Sequence, residues 1–228
     1  MATSPTFTRA RSQEAKQLRM NEILEAARTL GIEHGVGSVS LTDIANAAGM
    51  HKSALLRYFE TREQIFLILT ASAWREWADE LVDRLERSAI TTLPAIADTL
   101  AESLGRRPFF CDLVAHAALS LERHVSLEAI RIFKFTALDA THAVATALQN
   151  RAALTRQQAV DVITTAINMA GALQQTATPS SEILSRYRSE PALRHMTSDI
   201  TPRLSSILEG LLTGFVGKGD SATGQPLT

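Results

Sequence analysis

The sequence predicts an all-α protein built from two domains. Apolar residues recur at the spacing of amphipathic helices along most of the chain, and no segment alternates convincingly with the two-residue period of a strand. Helix-starting pairs such as Thr61 with Gln64 and Thr155 with Gln158 separate these stretches. The length of 228 residues allows two modest domains that each bury a core. We expect about nine helices in all.

The first three helices have the outline of a helix-turn-helix unit. An amphipathic helix is expected over about 14–34. Gly35 and the neighbouring glycines are expected to end this helix. Ser40 with Asp43 marks the start of a short helix that Gly49 stops, and a second short helix follows over about 52–59. Two short helices joined at a glycine are typical of this motif. Residues 1–13 are expected to form a flexible basic arm.

The rest of the chain is expected to be helical as well. The pair Thr61 and Gln64 predicts a long helix that runs to about Ser88. Further helix starts are Leu93-Pro94, Arg107-Pro108, Ser126, Thr155 and Thr201-Pro202. Residues 217–228 are expected to be a flexible tail.

Composition and charge exclude several classes of protein. With 45% hydrophobic and 21% charged residues the chain should fold and is not intrinsically disordered. Residues 1–62 carry 8 Lys and Arg against 6 Asp and Glu, a net charge of +2, while residues 63–228 carry 15 against 18, a net charge of −3. The net charge of −1 excludes a non-specific architectural DNA binder. The lone Cys111 and the lack of an apolar leader predict a cytoplasmic protein.

The segment 40–66 resembles the tetracycline repressor (TetR) family of transcription regulators. The match is carried, in register, by Asp43-Ile44-Ala45, Ala48-Gly49, Lys52, Leu55, Tyr58-Phe59 and Glu63. The resemblance is close over 14–70 and implies a DNA-binding domain at 14–62 and a helical ligand-binding and dimerisation domain at 63–216. It further implies a homodimeric regulator, expected to be a repressor that a small, largely apolar ligand releases from a palindromic DNA operator.

DNA contacts are expected from the second short helix and the residues on either side of it. Lys52 and Arg57 can donate to guanine, whereas Ala54 or Leu56 can press on a thymine methyl. The resemblance places Tyr58 and Arg62 at phosphates, and His51 and Leu56 depart from the family pattern. The full predicted set is Ser40, Thr42, Lys52, Ser53, Ala54, Leu56, Arg57, Tyr58 and Arg62.

Aromatic residues in the middle of the chain are the candidates for a ligand pocket. Such side chains with a few polar anchors usually line small-molecule pockets, but they also form ordinary cores. The candidates are Trp74, Trp77, Phe109, Phe110, Cys111, His116, Phe133 and Asn168.

Two apolar stripes near the C-terminus are the candidates for a dimer interface. They would pair with their two-fold mates as a four-helix bundle, unless they face the core of their own subunit. The stripes consist of Val160, Ile163, Ile167, Ala170, Gly171, Ile200, Leu204, Ile207, Leu208, Leu211 and Phe215.

The sequence predicts neither catalysis nor a cofactor. Cys111 and Asp112 are adjacent and face different ways on a helix. His116 and His124 are two helical turns apart, about 12 Å, which is too far for one metal ion. No glycine-rich phosphate loop is present. The alternative hypothesis is a helical ligand-binding or enzymatic domain with a vestigial helix-turn-helix. The intact donors at Lys52, Arg57, Tyr58 and Arg62 argue against it.

Overall fold

The computed structural model describes residues 5–87, 90–178, 183, 185, 189–190 and 199–222. Apart from the helical positions 183, 185 and 189, the described residues form nine α-helices and one π-helical segment, and the expected all-α class is confirmed. The helices are α1 (Pro5–His34), α2 (Leu41–Ala47), α3 (Lys52–Leu55), α4 (Arg62–Arg87), α5 (Leu93–Gly105), α6 (Pro108–His116), α7 (Leu127–Gln149), α8 (Arg156–Ala177) and α9 (Ile200–Ala222), with the π-helical segment at Ala117–Leu121. Among the described residues no helix combines the length and apolarity needed to cross a membrane.

Three helix boundaries differ from the predicted ones. Helix α1 begins at Pro5 instead of Glu14, because proline suits the first helical position and no helix breaker follows it before Glu14. Helix α3 ends at Leu55, well before Phe59, because the chain leaves the helix in hydrogen-bonded turns. Helix α9 continues to Ala222, since a glycine costs a helix only about 1 kcal/mol and does not by itself end it. Residues 1–4 of the expected arm and 223–228 of the expected tail lie outside the described residues.

Side-chain caps fix several helix starts where the sequence predicts them. The hydroxyl of Thr155 accepts a hydrogen bond from the Gln158 amide, and the Gln158 side chain accepts one from the Thr155 amide in return. At the start of α4 the amide of Gln64 donates to the Thr61 hydroxyl at 3.1 Å. The Gln64 side chain, however, accepts from the amide of Glu60 instead of that of Thr61. These caps satisfy amides that have no partner within the helix.

The larger C-terminal part of the fold is built from three pairs of packed helices. Helix α4 packs along α7, α9 lies on α5, and α6 lies on α8. The contact between α6 and α8 is close at Gly171, where an added Cβ would lie 3.3 Å from the carbonyl oxygen of Cys111. Helices α1 to α3, with the turns between them and the start of α4, form a smaller N-terminal unit around the buried Ile44, Leu55 and Phe59, which we call the headpiece.

Candidate DNA-binding face and cavities

The second short helix of the headpiece presents a polar face to solvent. Lys52, Ser53 and Arg57 are exposed, and the Leu56 side chain beside them is 46% exposed. On the opposite side Leu55 is fully buried, so that its packing fixes the orientation of the helix. Four members of the predicted DNA-binding set, Lys52, Ser53, Leu56 and Arg57, are therefore exposed on α3 and the turn after it.

The turn before this helix requires a glycine. Gly49 has a φ of +65°, a left-handed conformation that side chains with a Cβ resist. The amide of Met50 donates back to the carbonyl of Ala45, which closes the turn. A short turn of fixed geometry thus sets the angle between α2 and α3.

Ser40 has a different role from the predicted phosphate contact. Its hydroxyl donates to the Asp43 carboxylate at 2.6 Å, and its amide donates to the same oxygen at 2.8 Å. The hydrogen bond from the Ser40 side chain is the main cause that holds the pKa of Asp43 below its ordinary value. An ionised carboxylate at this end of α2 disfavours a phosphate beside Ser40. Thr42, one residue into α2, is exposed.

Arg62 also departs from its predicted role. Its side chain is mostly buried and donates to the backbone carbonyls of Val36 and Val39 in the loop between α1 and α2. A third interaction joins it to the Glu63 carboxylate, at 3.2 Å. Three of the five N–H donors of the guanidinium thus have partners in the headpiece and on α4, and the side chain is only 16% exposed, so Arg62 fixes the loop of the headpiece to α4.

Two further members of the predicted DNA-binding set, Ala54 and Tyr58, are only partly exposed. Tyr58 packs against the buried core of the headpiece. The exposed members of the predicted DNA-binding set are thus Ser40, Thr42, Lys52, Ser53, Leu56 and Arg57.

Four of the predicted ligand-binding residues belong to a closed core. Trp74 and Trp77 meet edge to face with ring centroids 5.6 Å apart, and Phe110 contacts both of them. The Trp77 indole donates to the Ser103 hydroxyl at 3.0 Å. Cys111 is fully buried, and burial is the main cause that raises the pKa of its thiol to about 12. They are buried core residues in this structure, and the cavities between the headpiece and α6 and between α4 and α7 do not include them.

Three cavities contain other members of the predicted ligand set. A cavity of about 480 Å³ lies between the headpiece and α6, and its walls include Phe109 and His116; we call it the junction cavity. A second, of about 230 Å³, lies between α4 and α7 and includes Phe133. Its apolar walls are Leu67, Ile68, Ala71, Ala129, Ile132 and Phe133, and its polar groups include Gln64, Ser72 and Arg75. Asn168 is exposed on α8 and lines a third cavity, of about 240 Å³, between α6 and α8.

Comparison with known proteins agrees with this geometry. Residues 23–69 match the family described as "Bacterial regulatory proteins, tetR family", and residues 71–218 match the "Tetracyclin repressor-like, C-terminal domain". The second match alone covers more than half of the chain. The chain belongs to the TetR family.

Individual relatives are more distant. HTH-type transcriptional regulators Rv1816 of Mycobacterium tuberculosis and Mb1846 of Mycobacterium bovis are each 33% identical over 72 residues, or 32% of this chain. The match spans only 30% of the length of these curated relatives. RolR, solved in complex with the ligand resorcinol, shares the fold with a TM-score of 0.56 at 14% identity, over 95% of this chain and 98% of RolR. A putative TetR-family regulator from Mesorhizobium loti has a TM-score of 0.55 at 17% identity, over 89% of this chain and 97% of its own.

The predicted dimer stripes of this TetR-family chain need correction. Seven of their members are buried within their own subunit because α8 and α9 turn them towards α5 and α6: Ile163, Ile167, Ala170, Gly171, Ile200, Leu204 and Leu208. The remaining four are only partly buried: Val160, Ile207, Leu211 and Phe215. Beside them Gly210 and Gly214 have open space where a Cβ would be. The outward face of α9 is therefore the one that a partner can reach.

The sequence pattern did not predict the residue that joins the headpiece to the C-terminal part of the molecule. Asp112 of α6 accepts a hydrogen bond of 2.7 Å from the amide of Val36, which lies 76 residues earlier in the chain. Its one sequence signal is the spacing of Asp112 and His116, which places the two side chains on one helical face.

Proposed function

We propose that this TetR-family chain is a homodimeric, sequence-specific DNA-binding regulator that a small, largely apolar ligand releases from its operator. The observation that carries the proposal is the exposed surface formed by α3 and the turn after it, which carries Lys52, Leu56 and Arg57 and is held from behind by the buried Leu55. Such a helix can enter a major groove, where cationic donors read guanine and an apolar side chain reads the thymine methyl. A protein with this role acts in the cytoplasm.

A dimer is part of the proposal because one short helix reads only a few base pairs. Two copies related by a two-fold axis present two such helices to half-sites about one helical turn apart, near 34 Å. The outward face of α9, with Ile207, Leu211 and the open Gly210, is the surface we assign to the contact between subunits. Small residues there allow the helices of two subunits to approach closely.

The ligand is assigned to the cavity between α4 and α7. Its walls are largely apolar and its volume of about 230 Å³ suits a small compound. Resorcinol is the ligand of RolR, whose fold is similar, and we propose a compound of comparable size for this chain. Gln64 and Leu67 on α4 line this cavity close to the point where α4 leaves the headpiece. A ligand that shifts α4 would change the separation of the two headpieces, with a coupling of about 1–3 kcal/mol.

DNA recognition is tested by selection from random duplexes, followed by fluorescence anisotropy on the enriched sequence. Lys52→Ala and Arg57→Ala should each weaken binding by about 1–3 kcal/mol and change the preferred base. The matched control is Arg131→Ala, which removes the same charge from the exposed surface of α7. Enrichment of no sequence by the unmodified protein would contradict the proposal and favour the alternative, a helical ligand-binding or enzymatic domain with a vestigial helix-turn-helix.

The ligand site is tested by filling it. Ala129→Phe places a ring in the cavity between α4 and α7, whereas Ala143→Phe adds the same ring at an exposed position of α7. A library of small phenols and apolar metabolites is screened for compounds that raise the melting temperature and release the operator. The first variant should lose the response and the second should keep it. Retention of the response by Ala129→Phe would place the ligand elsewhere.

A further inference from the structure

One face of α6 forms the contact between the C-terminal part of the molecule and the headpiece. Phe109, Asp112 and His116 lie three and four residues apart and therefore share this face. They line the junction cavity together with the end of α1 and the loop that follows it. The cavity is thus the visible part of a joint between the two regions.

Two glycines make room for this face of α6. An added Cβ on Gly31 would lie 2.6 Å from Cε2 of Phe109, and one on Gly37 would lie 2.9 Å from Nε2 of His116. Both distances are too short for a real side chain to occupy without movement. The headpiece therefore approaches α6 closely on either side of Asp112.

The end of α1 leaves one amide for Asp112 to bind. Gly35 has a φ of +80° and its amide donates to the carbonyl of Gly31, the simple left-handed cap of a helix. In the fuller form of this cap the next amide, that of Val36, would also bond to the same helix end. Here the Val36 amide donates to Oδ2 of Asp112 at 2.7 Å, although Val36 itself is buried. The hydrogen bond that would complete the cap is thus made to the other part of the molecule.

Asp112 is itself held on two sides. Its Oδ1 accepts a hydrogen bond from Gln175 of α8 at 2.7 Å and lies 3.2 Å from Nδ1 of His116. The Asp112 side chain is only 16% exposed. The carbonyl oxygen of the same residue, Val36, accepts a hydrogen bond from the Arg62 side chain of α4. One residue of the loop is thus fixed through its amide by α6 and through its carbonyl by α4.

We propose that Asp112 is a positioning residue that couples α6 to the DNA-binding headpiece through the Val36 amide. The proposal rests on the proposed function and names a route of regulation in addition to α4. Because α6 packs on α8 at Gly171 and carries Phe110 in the cluster with Trp74, a rearrangement of this core displaces Asp112. The loop then no longer holds the start of α2, and the orientation of α3 changes with it.

The test uses full-length protein and the duplex enriched by selection. Asp112→Ala should speed hydrogen exchange of the amides in residues 35–39 and weaken operator binding about tenfold, measured at a temperature well below melting. Asp112→Asn keeps an oxygen that can accept from Val36 and should restore most of the exchange protection. The matched control is Asp83→Ala, which removes an exposed carboxylate of α4 and should change neither measurement.

A second pair of variants keeps the proposal falsifiable if Asp112→Ala does not fold. Gly37→Ala changes an exposed position and forces its Cβ against His116, so it should loosen the same joint with faster exchange and weaker operator binding. Gln175→Ala removes one partner of Asp112 but leaves the Val36 bond, and should have a smaller effect.

The outcomes separate the two proposals. Faster exchange in a folded Asp112→Ala protein that still binds the duplex with unchanged affinity would overturn the coupling role, as would unchanged exchange. If the unmodified protein enriches no duplex, the proposed function fails first, whatever the exchange of the Val36 amide shows.

Discussion

The guanidinium carbon of Arg62 lies 4.8 Å from the centroid of the Phe66 ring, and Phe66 is fully buried. Arg62 is thereby held against the core of α4 while it donates to the carbonyls of Val36 and Val39. The residue is a structural tie between α4 and the loop before α2.

Replacement of Arg62 should therefore act on stability first. Arg62→Ala leaves two loop carbonyls without their donor and is expected to lower the free energy of unfolding by about 1–3 kcal/mol, measured by urea denaturation. Arg57→Ala, at an exposed position, should leave that free energy unchanged and weaken DNA binding instead. An unaltered unfolding curve for Arg62→Ala would return Arg62 to the predicted phosphate contact.

The sequence predicts well the features that depend on neighbouring residues. The caps at Ser40 and Thr155, the turn at Gly49 and the buried side of α3 all follow from spacings of a few residues. The joint between Asp112 and Val36 joins positions 76 residues apart and has no local signal. The sequence could not separate the core residues from the cavity residues of the predicted ligand-binding set for a similar reason. An aromatic side chain has the same helical spacing whether it lies in a core, as Trp77 does, or beside a cavity.

The turn at Gly49 should tolerate substitution according to backbone conformation alone. No atom lies within 4 Å of an added Cβ, so Gly49→Ala meets only the cost of a φ of +65°, about 1 kcal/mol. Gly49→Asn should cost less, because asparagine adopts the left-handed conformation more readily than alanine. Thermal melting compares the two variants, and equal losses of stability would contradict this explanation.

The thiol of Cys111 should be unreactive in the folded protein. Burial raises its pKa to about 12, so that almost no thiolate is present near neutral pH, and the sulfur lies 3.4 Å from the carbonyl oxygen of Leu104. Alkylation by iodoacetamide should proceed only as fast as the protein opens, and should accelerate in urea. Thr91→Cys adds an exposed thiol as an internal control that reacts at once. Equal reaction rates at the two thiols would show that Cys111 is accessible.

The stability of the joint should depend on pH through His116. The hydrogen bond with Asp112 is the main cause that raises the pKa of His116 above 6.5, partly opposed by burial and by the charge of Arg62. Because the pKa of His116 is raised in the folded state, the contribution of His116 to the free energy of unfolding is complete below about pH 6.5. It is lost as the pH rises through the pKa of His116 in the folded protein.

His116→Ala should therefore flatten the fall in unfolding free energy that begins above about pH 6.5. The control is His124→Ala, at an exposed position of the loop before α7. At the acid end, burial raises the pKa of Asp112 but hydrogen bonds from His116, Val36 and Gln175 outweigh it and lower the pKa below 3.8. The contribution of Asp112 is thus complete above about pH 3.8 and is lost as pH falls through its folded value. A pH profile for His116→Ala that matches the unmodified protein would contradict the assignment.

The outward face of α9 should control assembly, and the structure separates assembly from folding at neighbouring positions. Leu211 is only partly buried, so Leu211→Asp should yield folded monomers, because a charge is costly only once a partner subunit covers it. Leu208, one turn earlier, is fully buried in its own subunit, and Leu208→Asp should unfold the protein instead. Sedimentation velocity at micromolar concentration gives the oligomeric state, and circular dichroism gives the fold. Leu138→Asp, at a leucine of α7 that is 46% exposed, is the matched control and should leave the dimer intact. Dissociation by Leu138→Asp but not by Leu211→Asp would move the interface from α9 to α7, and a folded monomer for the unmodified chain would refute the dimer.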